Sequence, residues 1–178
     1  MKRLTMLAGA LGIALLTATS AFAQVPADPN NPNEQVPEKL TYLPYGTPIN
    51  LETAKKVAAA AAAEATKRGW PMCIAVVQPT GDLVYFEKMD DCQYASVTIS
   101  QNKARAAARF RRPTLVFERL MGKGAFFAYL PSLGDAFTGS RGGNPLVVNG
   151  HIIGAIGVSG GSGSQDDTIS QAGAAALK

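Results

Sequence analysis

GGNPLVVNGHIIGAIGVSGGSGSQDD, residues 142–167, reads as a buried β-hairpin that runs into a glycine-rich loop and then a helix. Asn149-Gly150 is the turn, because a type I′ turn needs positive φ at both central residues and Asn and Gly tolerate it best. Leu146-Val147-Val148 and Ile152-Ile153, on either side, are apolar enough for a sheet interior. Gly154 and Gly157 interrupt the second strand, which points to something packed close against its backbone. Ser164, with Asp167 three residues on, reads as the N-cap of the last helix in a weak form of the capping box. The stretch sets the fold class and marks the place where a ligand is expected.

Toward the N-terminus the pattern alternates between helices and strands. Asn50 caps a helix from Leu51 to Arg68, and Gly69 stops it. Leu51, Ala54, Ala58, Ala61, Ala62 and Ala65 share one face, small enough to lie close against a sheet or another helix. Met72–Gln78 and Leu83–Lys88 form a hairpin around Pro79-Thr80-Gly81-Asp82. A second alanine-rich helix spans about Tyr94 to Phe110, and Pro113 breaks it. Thr114 caps a short third helix to Met121, closed by Gly122-Lys123-Gly124. A strand or turn around Leu133 to Phe137 leads into the final hairpin. This order predicts the α+β class, a mostly antiparallel sheet flanked by helices, and excludes a doubly wound parallel sheet.

Residues 1–23 read as a signal peptide: Lys2 and Arg3, an apolar Leu4–Leu16 and the small-residue site Ala21-Phe22-Ala23. The apolar run is short of the ~20 residues of a spanning helix, so no membrane insertion is expected; a retained anchor is the alternative. No Cys follows the cleavage site, which excludes a lipoprotein anchor. The mature protein is expected to be periplasmic or secreted. Residues 24–48 read as a Pro-rich, extended or disordered lead-in, with Leu40, Tyr42, Leu43 and Tyr45 apolar enough to strap across a neighbouring subunit. Residues 49–178 make one domain, large enough for a core.

The formal charge of +4 includes Lys2 and Arg3; without them 15 basic residues face 13 acidic ones. That balance demands neither nucleic acid nor an acidic membrane. Lys103, Arg105, Arg109, Arg111 and Arg112 form a basic run, but nucleic-acid binding needs aromatic platforms beside the charge and Phe110 alone is thin support. Lys103, near mid-helix, and Arg112, against the Pro-Thr corner, are the two expected to point at a bound carboxylate. Gly157-Val158-Ser159-Gly160-Gly161 matches G-x-S-x-G by letter, yet no histidine follows it to complete a triad. No Walker A or dinucleotide fingerprint is present. His151 beside the turn reads as a solvated ring, with haem-iron ligation the alternative; without C-x-x-C-H, covalent c-type haem attachment is excluded. Two cysteines and one histidine fall short of a four-ligand metal set. With Thr80-Gly81 as turn centre, Cys73 faces Lys88, four positions short of Cys92. A disulfide needs the chain to curl back there, and two free thiols are the equal alternative.

The hairpin Ile74-Ala75-Val76-Val77…Gly81-Asp82-Leu83-Val84, Lys88-Met89-Asp90, Lys103-Ala104, Phe110, Arg112-Pro113-Thr114, Gly142-Gly143-Asn144-Pro145, Gly154–Gly161 and Asp166 stand in order. Together they resemble the GlcG/HbpS-like family of haem-binding proteins, to which haem degradation is ascribed. The resemblance spans about Leu51 to Lys178. It implies an α/β sandwich on a five-stranded antiparallel sheet, homo-oligomers from dimer to octamer, and haem or another tetrapyrrole bound at a subunit surface. It further implies Thr114 as the residue at the haem iron, with Lys103 and Arg112 for the propionates and Phe110, Gly142 and Gly143 in the surrounding motifs. Two departures stand out: Gln78 where relatives usually have Asp, and Lys88-Met89-Asp90-Asp91 for Arg-Met-Asp-Gly.

No residue announces acid–base or nucleophilic catalysis. The leading expectation is an exported protein that sequesters or carries haem and assists its degradation, with the chemistry belonging to the iron. The alternative is an oligomeric accessory module that binds a small carboxylate such as a two-carbon hydroxy acid. Partnership with a membrane sensor kinase rests on analogy with exported relatives alone.

Overall fold

Helix α1 (Leu51–Arg68) starts at Asn50, whose Oδ1 accepts the Thr53 N–H at 2.8 Å, and ends at Gly69 with φ 66°. This computed structural model describes residues 42–124, 127, 130–134 and 137–177; the expected signal peptide and most of the lead-in lie outside them. The buried stripe of α1 is Ala54, Val57, Ala58, Ala61 and Ala65, whereas Leu51, at the first helical residue, is half exposed. Strands β1 (Cys73–Val77) and β2 (Leu83–Lys88) pair antiparallel, with Cys73 opposite Lys88 as the turn predicted. Gly81 closes that turn with φ 92°, its N–H bonded to the Gln78 carbonyl at 2.9 Å.

Helices α2 (Ala95–Phe110), α3 (Leu115–Gly122) and the single turn α4 (Leu130–Leu133) follow, then β3 (Gly143–Val148), β4 (His151–Ser159) and α5 (Gly163–Ala175). Asn149 and Gly150 both have positive φ, 48° and 76°, as the hairpin reading required. The sheet order is β2-β1-β4-β3, antiparallel throughout.

Four strands are present among the described residues, one fewer than the resemblance implied. Of the strand or turn expected around Leu133 to Phe137, Leu133 ends α4, where Pro131 sits in the first turn and its missing N–H costs nothing, and residues 135 and 136 lie outside the described ones. Beyond it, the ring of Phe137 packs edge-on against Phe110 and Phe117, centroids 5.9 and 5.3 Å away. The place beside the start of β4 is taken by the end of the lead-in. Tyr45 bridges Ile152 in parallel, and Ile49 donates its N–H to the Ile153 carbonyl at 2.8 Å. Tyr42 and Tyr45 therefore dock on their own domain, stacking on the Arg111 guanidinium at 4.4 and 4.1 Å.

The sheet is covered on both faces, which explains why β1 is buried along its whole length. Ile74, Val76, Leu146, Ile156 and Val158 meet α1 and α5 on one side. Ala75, Val77 and Ala155 meet Ala104, Ala107 and Ala108 of α2 on the other. Small side chains on both partners bring α2 down onto the strands. Gly157 takes this to its limit: a Cβ there would strike the Ser100 carbonyl and the Ala104 nitrogen.

The last helix starts two residues earlier than expected. Ser162, extended at φ −67° and ψ 157°, is the N-cap and forms a full capping box with Gln165. Ser164 lies inside the helix. Gln165 at the third position can reach back to the cap N–H, and that reciprocal pair decides the start.

Candidate functional site

The corner after α2 and the glycine-rich hairpin are joined by a reciprocal pair of hydrogen bonds. Thr114 donates its N–H to the Gly143 carbonyl, and its Oγ1 accepts the Gly143 N–H, both at 2.9 Å. Thr114 thus stands at the head of α3 as expected, but its hydroxyl serves β3 rather than capping the helix. A Cβ on Gly143 would strike the Lys103 carbonyl and the Thr114 methyl, so only glycine fits between α2 and α3.

Lys103 descends from mid-α2 beside this contact and is 1 % exposed. Its Nζ meets Asp166 Oδ2 at 2.6 Å and donates to the Val158 carbonyl at 3.2 Å. The carboxylate it points at is therefore in its own chain. Asp166 Oδ1 accepts the Gly161 N–H at 3.0 Å, so one buried ion pair ties α2, β4, the glycine loop and α5 together. Gly142, at φ 114°, lets Val158 donate to its carbonyl at 2.8 Å beside the Lys103 ammonium. Asp167 is likewise committed, accepting from Asn144 at 3.1 Å and Gln171 at 2.7 Å.

Above the ion pair opens a recess of about 350 Å³ lined by Gln93, Ile99, Lys103, Glu118, Ser140, Arg141, Ser159, Ser164 and Asp166. Glu118 of α3 grips Arg141: Oε2 accepts its backbone N–H at 2.8 Å and Oε1 its Nε at 2.7 Å. The Arg141 hydrogen bonds hold the Glu118 carboxyl below its ordinary value against the opposing pull of desolvation. Arg141 also reaches Ser164 at 3.5 Å, at the start of α5. Both cations are paired with carboxylates, so the recess is polar but charge-balanced, and the start of α5 beside Arg141 is the point open to a small polar ligand.

Six residues were expected at the site. Thr114, Gly142 and Gly143 cluster around Lys103, but of the six only Lys103 lines the recess. Arg112 is half-buried and donates its Nε to the Phe110 carbonyl at 3.0 Å, and burial holds its guanidinium below the usual value. Phe110 packs edge-on against Phe117 at 5.0 Å and lines a separate shallow furrow with Arg105, Arg109, Leu133 and Phe137. Ser159 entered the sequence reading only through the G-x-S-x-G letters, and Glu118, Arg141 and Gln93 escaped it. Arg141 carried a signal, a charge directly before Gly142-Gly143; the others carried none.

A tetrapyrrole does not fit the recess. The lining is charged rather than a flat apolar slot, Thr114 is fully buried with its oxygen engaged, and the Lys103 ammonium is already neutralised. The furrow beside Phe110 is lined differently, by aromatic edges with flanking guanidinium groups. His151 is exposed, its Nδ1 2.9 Å from the Asn149 carbonyl, as a solvated ring should be. No group of three metal-ligating side chains occurs among the described residues. Ser159 Oγ pairs with Ser96 Oγ at 2.9 Å, so the G-x-S-x-G letters hold a buried structural serine. No helix among the described residues is long and apolar enough to cross a membrane.

A family model described as "Haem degrading protein HbpS-like" matches residues 49–175. Protein GlcG of Escherichia coli (strain K12) is 42 % identical over 112 residues, covering 62 % of this chain and 81 % of that protein. Among solved structures, the PduOC:heme complex superposes with TM-score 0.69 at 25 % identity, covering 74 % of this chain and 96 % of the other. A double mutant of Streptomyces reticuli HbpS superposes with TM-score 0.67 at 28 % identity, covering 82 % and 97 %. Fold and sequence agree, and the chain belongs to the HbpS-like family.

Proposed function

We propose that this protein is exported and binds haem, sequestering or carrying it, with any degradation of the macrocycle owed to the bound iron and an external reductant. The observation that carries this reading is family membership together with a relative of the same fold in complex with haem. Export is supported by Lys2-Arg3, the apolar run after them and Ala21-Phe22-Ala23. The furrow of Phe110, Leu133 and Phe137, flanked by Arg105 and Arg109, offers apolar contact for a macrocycle and guanidinium groups for its propionates. Arg112, beside Phe110, joins them; Lys103 does not, being committed to Asp166. One copy offers a furrow of only about 50 Å³, so a second copy is needed to enclose the ligand, in keeping with a homo-oligomer. Thr114 reaches iron only if the corner between α2 and α3 opens.

Titration of the full chain with haemin tests this. A saturable Soret band is expected, with weaker binding but an unmoved band in Arg105→Ala and Arg109→Ala. A displaced band in Thr114→Val, restored in Thr114→Ser, assigns the iron contact to Thr114; a lower Tm with an unmoved band leaves it holding Gly143 only. An unchanged spectrum throughout removes the haem reading.

The polar recess favours a second reading, an accessory module that holds a small carboxylate between Arg141 and the start of α5. It predicts that glycolate raises the Tm, that Arg141→Ala abolishes the rise, and that haemin has no effect.

A further inference from the structure

Cys73 opens β1 and is fully buried, and Cys92 lies on the loop between β2 and α2, nearly as enclosed. The sequence left them four positions out of register. The loop makes up that distance with a tight turn: Asp91 adopts φ 63°, and the Cys92 N–H returns to the Met89 carbonyl at 3.2 Å. The two sulfurs consequently stand 2.7 Å apart, against a bond length of ~2.05 Å, so little motion separates the thiol pair from a disulfide.

What lies around the pair gives it consequence. Cys73 is paired across the sheet with Ser159, and Cys92 Sγ lies 3.7 Å from the Ser159 carbonyl. Next to Cys92, Gln93 donates from Nε2 to Ser96 Oγ at 2.9 Å, and Ser96 pairs with Ser159 at the same distance. Gln93 and Ser159 both line the recess. One wall of the recess is thus a chain of hydrogen bonds hung from the segment that holds the two sulfurs.

We propose that Cys73 and Cys92 close to a disulfide that staples the loop after β2 onto β1 and so fixes the Gln93–Ser96–Ser159 wall of the recess. The oxidant is a small disulfide of the glutathione class. A cysteine thiolate attacks it, one glutathione thiol leaves, and the second cysteine displaces the other from the mixed disulfide. Two protons and two electrons pass from the protein to the reagent, which ends as two thiols. Burial pushes the Cys73 thiol up to about 12, leaving it protonated and inert at neutral pH once folded. The bond therefore forms while the chain folds, and burial then shields it from reductant.

The test refolds the full chain from denaturant in oxidised or in reduced glutathione. Peptide mapping after alkylation under denaturing conditions reports the bond, and hydrogen exchange at the Gln93–Ser96 amides reports the wall. The oxidised product should lack free thiols, yield a Cys73–Cys92 cross-linked peptide and be lighter by two hydrogens. Its Gln93–Ser96 amides should exchange more slowly than those of reduced wild type or Cys92→Ser. Because Cys73 is fixed inside β1, the variant is made at Cys92, and reduced wild type is a reference that needs no substitution. Two alkylated cysteines after oxidative refolding overturn the bond; a cross-link with unchanged exchange overturns its hold on the wall. Neither readout involves haem or glycolate, so the outcome is independent of which ligand the protein takes.

Discussion

Replacing Lys103 by Met is expected to destabilise the protein by about 3–5 kcal/mol, the cost of stranding one member of a buried ion pair. Lys103 and Asp166 are 1 % and 3 % exposed, with Nζ and Oδ2 2.6 Å apart. In the variant, Asp166 keeps the Gly161 N–H on Oδ1, but Oδ2 faces an apolar methyl and the Val158 carbonyl loses its Nζ partner. Asp166→Asn strands the ammonium instead and should cost a similar amount. Removing both charges in Lys103→Met/Asp166→Leu leaves two orphaned backbone groups at ~1–3 kcal/mol each but no buried charge. The double variant should therefore lose less than the two singles together, by about 2 kcal/mol or more. Urea unfolding at pH 7, followed by circular dichroism and intrinsic fluorescence to check for two-state behaviour, measures all three variants. A domain of this size holds about 5–15 kcal/mol, so the singles should still fold with lowered midpoints. Single losses under about 1 kcal/mol that simply add would mean that water reaches the pair, refuting a dry, locked recess floor.

Gly157→Ala should cost about 1–3 kcal/mol, since the new methyl meets α2 backbone rather than a movable side chain; Gly122→Ala, with open space, should be near neutral. Comparing their urea midpoints checks the close seating of α2. Asp91→Gly relieves a left-handed residue and should raise stability by up to about 1 kcal/mol; a lower Tm would show that the Asp91 side chain holds the turn. The Glu118 carboxyl is held low by Arg141, so its contribution is complete above the ordinary glutamate range and fades as pH falls through the depressed value. The Tm gap between wild type and Glu118→Gln should thus be constant from pH 7 to about 5 and close below that. A gap that is the same at pH 3 and pH 7 would show that the Arg141 contact is not electrostatic.

Short-range rules carried the sequence reading where a single turn or cap decides the outcome. Asn50, Gly69, Gly81 and Asn149-Gly150 each have one conformation that their neighbours can use, and the structure uses it. Local rules failed where two solutions were equally good within a few residues. Ser162 and Ser164 both begin an acceptable cap, and the reach of Gln165 separates them. Phe137 was expected to end a strand or turn, and its ring found partners in Phe110 and Phe117. Asp91 stands where the resemblance implies glycine, yet adopts the left-handed conformation that a glycine would favour, because aspartate tolerates it.

From the chain alone came the antiparallel α+β frame, the hairpin register that sets Cys73 against Lys88, and the close approach at Gly154 and Gly157. These follow from side-chain size, φ preferences and period-two alternation, which act over a few residues. Only the folded arrangement decided that Lys103 meets Asp166, 63 residues away, that Arg141 closes on Glu118, and that two cysteines out of register stand sulfur to sulfur. Charge and thiol partners are chosen by which surfaces the packed layers bring face to face, and no local preference encodes that meeting.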